Sequence, residues 1–232
     1  MKRFILFDID GTLLRTRGAG SHAFTRALAD VLPGASLPAS FSPHGRTDPD
    51  IFREIGEHIY SRPATDRELT TLADRYIHHF QTTLAEAKNF EVFPGIEKLV
   101  KELHADEKVA LGIETGNLEI TARLKLKRGA LDHFFSFGGF GSDAPDRSEI
   151  VRIALERGLN LVGGKTQGRL SPIIIGDSIQ DMKAAKSNGA FAVGVLTGGA
   201  DQGALKKAGA DKVFTDFSSS SEFLELLLEL VV

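Results

Sequence analysis

The 232-residue sequence contains no cysteine. That absence excludes a disulfide framework, thiolate nucleophiles and cysteine-type zinc sites, and it fits a reducing compartment, so a cytoplasmic location is expected. An excess of charge of one sign is also missing: 28 Lys and Arg stand against 31 Asp and Glu, a formal charge of -3. Such a balance leaves no electrostatic footprint for nucleic acid or a membrane surface. Long apolar runs are absent as well. Lys2 and Arg3 precede FILF, but Asp8 stops that run well short of a signal-peptide core. The final EFLELLLELVV keeps Glu222, Glu225 and Glu229 and is too short to span a bilayer. It reads instead as an amphipathic C-terminal helix, capped by one of Ser218 to Ser221. A small-molecule partner is what these exclusions leave.

What is present is an alternation. Short apolar runs, RFILF at 3–7, VALGI at 109–113, FFSFG at 134–138, PIIIG at 172–176, FAVGVL at 191–196 and KVFTD at 212–216, have helical patterns between them. Runs without polar alternation suit strands covered on both faces, so the expected fold is α/β: a Rossmann-like open parallel sheet with helices on both faces. Residues 15–90 depart from this, showing helical patterns near 21–31, 48–59 and 66–87 and no comparable strand. They are expected to form a small all-helical cap domain inserted after the first strand, the core being 1–14 and 91–232. Leaving and re-entering at that point, the insert would lie over the carboxyl ends of the strands, where open α/β folds bind ligands.

The first run ends in FDIDGTLL, with Asp8 and Asp10 one residue apart before Gly11. A strand's side-chain period of two sends both carboxylates from one face. At about 4 Å and an effective dielectric near 20 their repulsion is roughly 4 kcal/mol, which calls for a cation, a shared proton or solvent. Three further stretches follow strands and converge on the same rim. In GDSIQD (176–181), Asp177 ends a strand, while Ser178 and Asp181 match a capping box that does not account for Asp177. In ETGN (114–117), Thr115 and the amides after it could hold an anion, or Asn117 could cap the next helix. In SDAPDR (142–147), Arg147 is either a cation facing that anion or a solvated residue beside an Asp146/Glu149 capping box.

Taken together, DIDGT, a strand ending in Thr115, a basic residue and GDSIQD resemble the four-motif pattern of the haloacid dehalogenase-like phosphohydrolase superfamily, over nearly the whole chain. The VFPG and TGNL stretches resemble its phosphoglycolate phosphatase-like branch with a helical cap. The resemblance implies a magnesium-dependent phosphatase acting on a small phosphorylated metabolite, a phosphoglycolate-like monoester. In it Asp8 attacks phosphorus to give an aspartyl-phosphate, and Asp10 acts as acid and then base. Mg²⁺ would be held by Asp8, the Asp10 backbone carbonyl and Asp177, with Asp181 assisting. Thr115 would hydrogen-bond the phosphoryl group, with Gly116 and Asn117 in the same phosphate-binding loop. Arg147 stands where the family usually has Lys, with Lys165 its rival for the role, and Glu114 occupies a position that is usually apolar. In HGRTD (44–48), which resembles the substrate-facing cap loop, Arg46 would bind an anionic group of the substrate; Arg17 and His22 near the hinge are weaker candidates.

Two motif matches carry nothing. GGKT at 163–166 has the wrong glycine spacing for a phosphate-binding Walker loop, and GFGSDA at 139–144 is followed by Pro145 with no acid placed to hold a ribose. Two other function classes compete with the phosphatase. A phosphosugar mutase of the same architecture would depend on a bisphosphate activator, and a non-catalytic binding relative is opposed by intact Asp8, Asp10, Thr115 and Asp177.

Overall fold

Each apolar run that becomes a strand does so because neighbours cover both of its faces. The computed structural model describes residues 2–39, 41–163 and 171–230. β1 (Arg3–Phe7) leads to a two-residue strand β2 (Leu14–Arg15), then to helices α1 (Ala19–Val31), α2 (Asp48–Tyr60) and α3 (Asp66–Glu86), and to a second short strand β3 (Glu91–Val92). Regular alternation follows: α4 (Ile96–Ala105), β4 (Val109–Thr115), α5 (Glu119–Arg128), β5 (Phe137–Phe140) and α6 (Arg147–Leu161). The chain continues through β6 (Ile173–Gly176), α7 (Ile179–Ser187), β7 (Phe191–Val195), α8 (Gln202–Lys207), β8 (Lys212–Phe214) and α9 (Ser220–Glu229).

Six strands pair in parallel in the order β5-β4-β1-β6-β7-β8. The chain winds outward on both sides of β1, and that reversal opens a crevice at the carboxyl ends of the central strands. The strand period sorts the core into two layers. Ile5 and Phe7 pack toward Leu99 of α4 and Phe223 of α9, whereas Phe4 and Leu6 pack toward Val151 of α6 and Met182 of α7. Ile173 and Ile175 divide from Ile174 in the same way, so the sheet carries helices on both faces.

The run FFSFG was expected as a strand from 134, but β5 starts at Phe137. Asp132–Phe134 form a 3₁₀ turn, and Phe135 drops into the core edge-on to Phe7, with ring centroids 5.9 Å apart. The C-terminal helix also differs in detail. Ser219 is its N-cap residue but makes no side-chain cap bond. The tie lies at the other end, where the Arg3 guanidinium donates to the carbonyls of Leu227 (3.1 Å) and Leu230 (2.6 Å), a cation at a helix C-terminus.

α1, α2 and α3 enclose a third apolar cluster of their own, centred on Phe24, Phe52, Tyr76 and Phe80, with Phe24 stacked on Tyr76 at 4.1 Å. Their starts follow local chemistry. Thr47 caps α2 ahead of Pro49, and Thr65 with Glu68 forms a reciprocal capping box on α3. At the two ends of this segment, β2 and β3 pair antiparallel, Leu14 opposite Val92 and Arg15 opposite Glu91. No helix among the described residues is long and apolar enough to cross a membrane.

Candidate active site

Where β1 stops, the chain turns sharply. Gly11 adopts φ +86°, and a Cβ there would lie 2.5 Å from Asp177 Oδ2, so only glycine lets the backbone pass over that carboxylate. Asp8 still extends the ladder, its N–H donating to the Ile175 carbonyl at 2.9 Å. Asp8 and Asp10 face one cavity of ≈ 210 Å³, together with Thr115, Gly116, Asn117, Arg147 and Asp177. The cavity lies between the carboxyl ends of the strands and the three-helix segment, which contributes Phe24, His44, Arg46, Asp48 and Tyr76.

Oxygens of Asp8, Asp177 and Asp181, all buried, lie within 4.8 Å of one another. The capping box is real: the Asp181 N–H donates to Ser178 Oγ at 3.2 Å, and Asp181 Oδ2 accepts from the Ser178 N–H at 3.0 Å. It consumes one oxygen only. Among the described residues Oδ1 carries no hydrogen bond, and it faces the Arg147 Nη2 at 2.8 Å. Asp177 accepts from Thr12 Oγ1 (3.3 Å) and the Gly199 N–H (3.4 Å), with His44 Nε2 at 3.6 Å.

Burial pushes the Asp8 carboxyl up to about 7, against the pull of Arg147 and with the push of Asp181 and Asp10. Asp177 rises to about 8 for the same reason, burial first and then Asp181 and Asp8. Clustered carboxylates with an unbonded oxygen suit a hard cation such as Mg²⁺, which takes oxygen ligands and would restore the charged forms.

Arg147 is not the solvated side chain of the alternative reading. Its side chain, 10% exposed at the start of α6, has Nη2 3.5 Å from Asp8 Oδ1 and Nε 3.6 Å from Glu114 Oε2. Burial works against its charge, but the carboxylates of Asp181, Glu114 and Asp8 outweigh it and raise its pKa. Of the Asp146/Glu149 box only half forms: Asp146 accepts from the Glu149 N–H at 3.0 Å, while Glu149 turns to Arg152. Glu114 is fully buried, and neither of its oxygens has a hydrogen bond among the described residues. Lys165, the rival of Arg147, lies outside the described residues.

Thr115 is buried at the end of β4, its hydroxyl accepting from the Asn117 N–H at 3.4 Å. Gly116 is where the α1–α2 connection meets this loop: its carbonyl accepts from the Asp48 N–H at 2.7 Å, and a Cβ would lie 2.4 Å from the Arg46 carbonyl. Asn117 does not cap α5. Its side-chain oxygen accepts from Lys125, and the Asp48 carboxylate takes the vacant helix terminus, accepting from the Leu118 N–H at 2.8 Å. Arg46 lines the cavity but turns back to pair with Glu54 and to donate to the Asp50 carbonyl at 3.2 Å. Arg17 pairs with Glu91 at 2.7 Å and His22 is exposed; neither lines the cavity.

Among the cavity residues that the sequence does not single out are Asp48 and Lys125. Lys125 is buried and donates to Asp10 Oδ2 at 2.5 Å. A signal for it existed: with Thr121, Ala122 and Leu126 it forms the buried face of α5, and a lysine at helical spacing among small and apolar residues needs an explanation.

The pattern of the family described as haloacid dehalogenase-like hydrolase matches residues 5–195. The pyrophosphatase PpaX of Halalkalibacterium halodurans is 28% identical over 198 residues, 80% of this chain and 79% of that protein. "Probable phosphatase IndB" of Dickeya dadantii is 25% identical over 231 residues, 99% and 96% of the two chains. Among solved structures, the β-phosphoglucomutase of Clostridium difficile superposes with a TM-score of 0.75 at 19% identity, over 100% of this chain and 99% of that one, a likeness of fold.

Proposed function

The chain belongs to the haloacid dehalogenase-like hydrolases, and from that premise we propose that it is a magnesium-dependent phosphatase that hydrolyses a small phosphomonoester through an aspartyl-phosphate on Asp8. The observation that carries the reading is the Asp8, Asp177 and Asp181 cluster, with Arg147 against it and Asp10 and Thr115 on the same cavity. In this reading residues 15–90 act as a cap domain over a core of 1–14 and 91–232.

An Asp8 oxygen bonds to phosphorus while the bond to the leaving oxygen breaks, and the Asp10 carboxyl gives that oxygen its proton. Asp10 then takes a proton from water as the water oxygen bonds to phosphorus and the bond to Asp8 breaks, releasing inorganic phosphate. Arg147 orients Asp8 and neutralises phosphoryl charge, while Thr115, Gly116 and Asn117 provide the phosphate loop. Asp8, the Asp10 carbonyl, Asp177 and Asp181 would hold Mg²⁺, which when bound supplies countercharge to the carboxylates and the phosphate.

The ≈ 210 Å³ cavity is smaller than the ~300–1,000 Å³ of ordinary ligand pockets. That size favours an ester of a few carbons, phosphoglycolate-like, with Arg46 toward its far anionic end. The test is phosphate release from a panel of phosphorylated metabolites and pyrophosphate, with Mg²⁺ and with EDTA, for the wild type and Asp8→Asn. Release that needs Mg²⁺ and vanishes in the variant is expected. Silence across the panel overturns the reading, and turnover only with a bisphosphate activator would assign a mutase.

A further inference from the structure

We propose that Lys125 is a positioning residue for Asp10: it pins one carboxylate oxygen so that the other is held ready to exchange a proton with the leaving group and then with water. The proposal rests on the phosphatase reading above and adds to it a residue from a different element. Lys125 Nζ lies 2.5 Å from Asp10 Oδ2 and also donates to Asn117 Oδ1. Asp10 Oδ1 has no side-chain partner among the described residues.

Asp10 needs such a partner. Its side chain is 39% exposed, unlike the buried Asp8, and the terminal torsion of an aspartate is broad and roughly two-fold when nothing holds it. Two donations anchor the ammonium on the loop side, and the Phe80 ring of α3 lies 5.6 Å away. Lys125 therefore bridges the acid, the phosphate loop and the helical segment. A filler role does not explain the residue. Its place on the buried face of α5, beside Ala122 and Leu126, could be taken by leucine or methionine without removing a charge from water, a removal that costs several kcal/mol per ion. What lysine supplies there and an apolar residue cannot is a donor aimed at Asp10.

In the first half-reaction the Asp10 proton passes to the leaving oxygen as the phosphorus–oxygen bond breaks. In the second, Asp10 recovers a proton from the attacking water. Lys125 keeps its own three protons throughout. Its contribution must therefore scale with how much the leaving group needs protonation, which is great for an alkoxide and slight for p-nitrophenolate.

The experiment measures kcat and KM of the Mg²⁺-loaded full chain on ethyl phosphate, p-nitrophenyl phosphate and phosphoglycolate, for the wild type, Lys125→Met, Lys125→Arg and Asn117→Ala, with urea midpoints alongside. Acid catalysis is worth about 10²–10⁴-fold, so Lys125→Met is expected to lose about tenfold or more in kcat on ethyl phosphate beyond its loss on p-nitrophenyl phosphate. KM should move by less than about threefold, the mark of an interaction made in the transition state. Lys125→Arg should recover part of the loss. Asn117→Ala, which frees the ammonium without touching Asp10, should show the same leaving-group bias and keeps the test open if Lys125→Met does not fold. Equal losses on the two uncharged-alcohol esters overturn the proposal, as does a rise in KM confined to phosphoglycolate, which would make Lys125 a ligand for substrate charge. A wild type silent on all three esters instead overturns the phosphatase reading, and this proposal with it.

Discussion

Glu114→Gln is expected to stabilise the protein at neutral pH. Glu114 is fully buried; among the described residues its two oxygens make no hydrogen bond, and the cation beside it is the Arg147 guanidinium, with Nε at 3.6 Å and Nη2 facing Asp8 and Asp181. Burial pushes its carboxyl well above the ordinary value of 4.5, with Arg147 pulling the other way and Asp181 and Asp8 adding to the rise. A carboxyl raised by folding binds more protons folded than unfolded, so stability is lost as pH climbs through and beyond 4.5. Each pH unit above that value costs 1.36 kcal/mol while the group stays neutral. The cost therefore grows with pH for as long as the group stays neutral. Glutamine has the same shape and no titration, so its advantage should grow between pH 5.5 and 7, by at most about 2 kcal/mol at the limiting slope, a ceiling of roughly 4–8 °C in Tm for a chain of this size. Urea denaturation of both proteins in EDTA from pH 4.5 to 7.5 measures the difference. A gap that stays constant within about 0.5 kcal/mol across that range, the ordinary scatter of such comparisons, refutes the reasoning and makes Glu114 a fully ionised partner of Arg147.

Two further outcomes are expected. Arg46→Ala should raise KM for phosphoglycolate several-fold and leave kcat within about threefold, because the pairing with Glu54 must be exchanged for substrate charge; an unchanged KM across small phosphoesters removes Arg46 from the binding site. Asp48 is pushed up to about 6 by burial, against Lys125 and the Leu118 N–H. Folding therefore disfavours its charged form, and stability is lost as pH rises from 3.8 toward 6. Asp48→Asn keeps an acceptor for the Leu118 N–H without titrating, so between pH 4.5 and 7 it should gain about 2 kcal/mol on the wild type in urea melts; a gap that does not change with pH rules this out.

The parts of the molecule legible beforehand are those written in local periods. Apolar runs covered on both faces specify parallel strands, helical periods mark α1, α2 and α3, and a glycine after the acid pair ends β1. Each depends on residues within one turn or one strand of one another, which is why FFSFG, where a 3₁₀ turn competes for the same letters, was misplaced by three residues. Asp8, Thr115, Arg147 and Asp177 were identifiable because each marks the end of a strand or the start of the helix after it, and strand ends in an open α/β sheet meet at one rim.

By itself, then, the sequence determined the α/β layering, the rim and the identity of the carboxylates on it, since hydrophobic period and strand-terminal position are local properties. Tertiary structure decided which partner each polar atom takes. Lys125 reaches Asp10 across 115 positions and Asp48 reaches Leu118 across 70, so the helix that Asn117 was placed to cap is capped from another part of the chain. Ion pairs and shared helix termini form only when elements distant in sequence close on one another in a water-poor cavity, where an unpaired charge is too costly to leave, and no local pattern records which element will arrive.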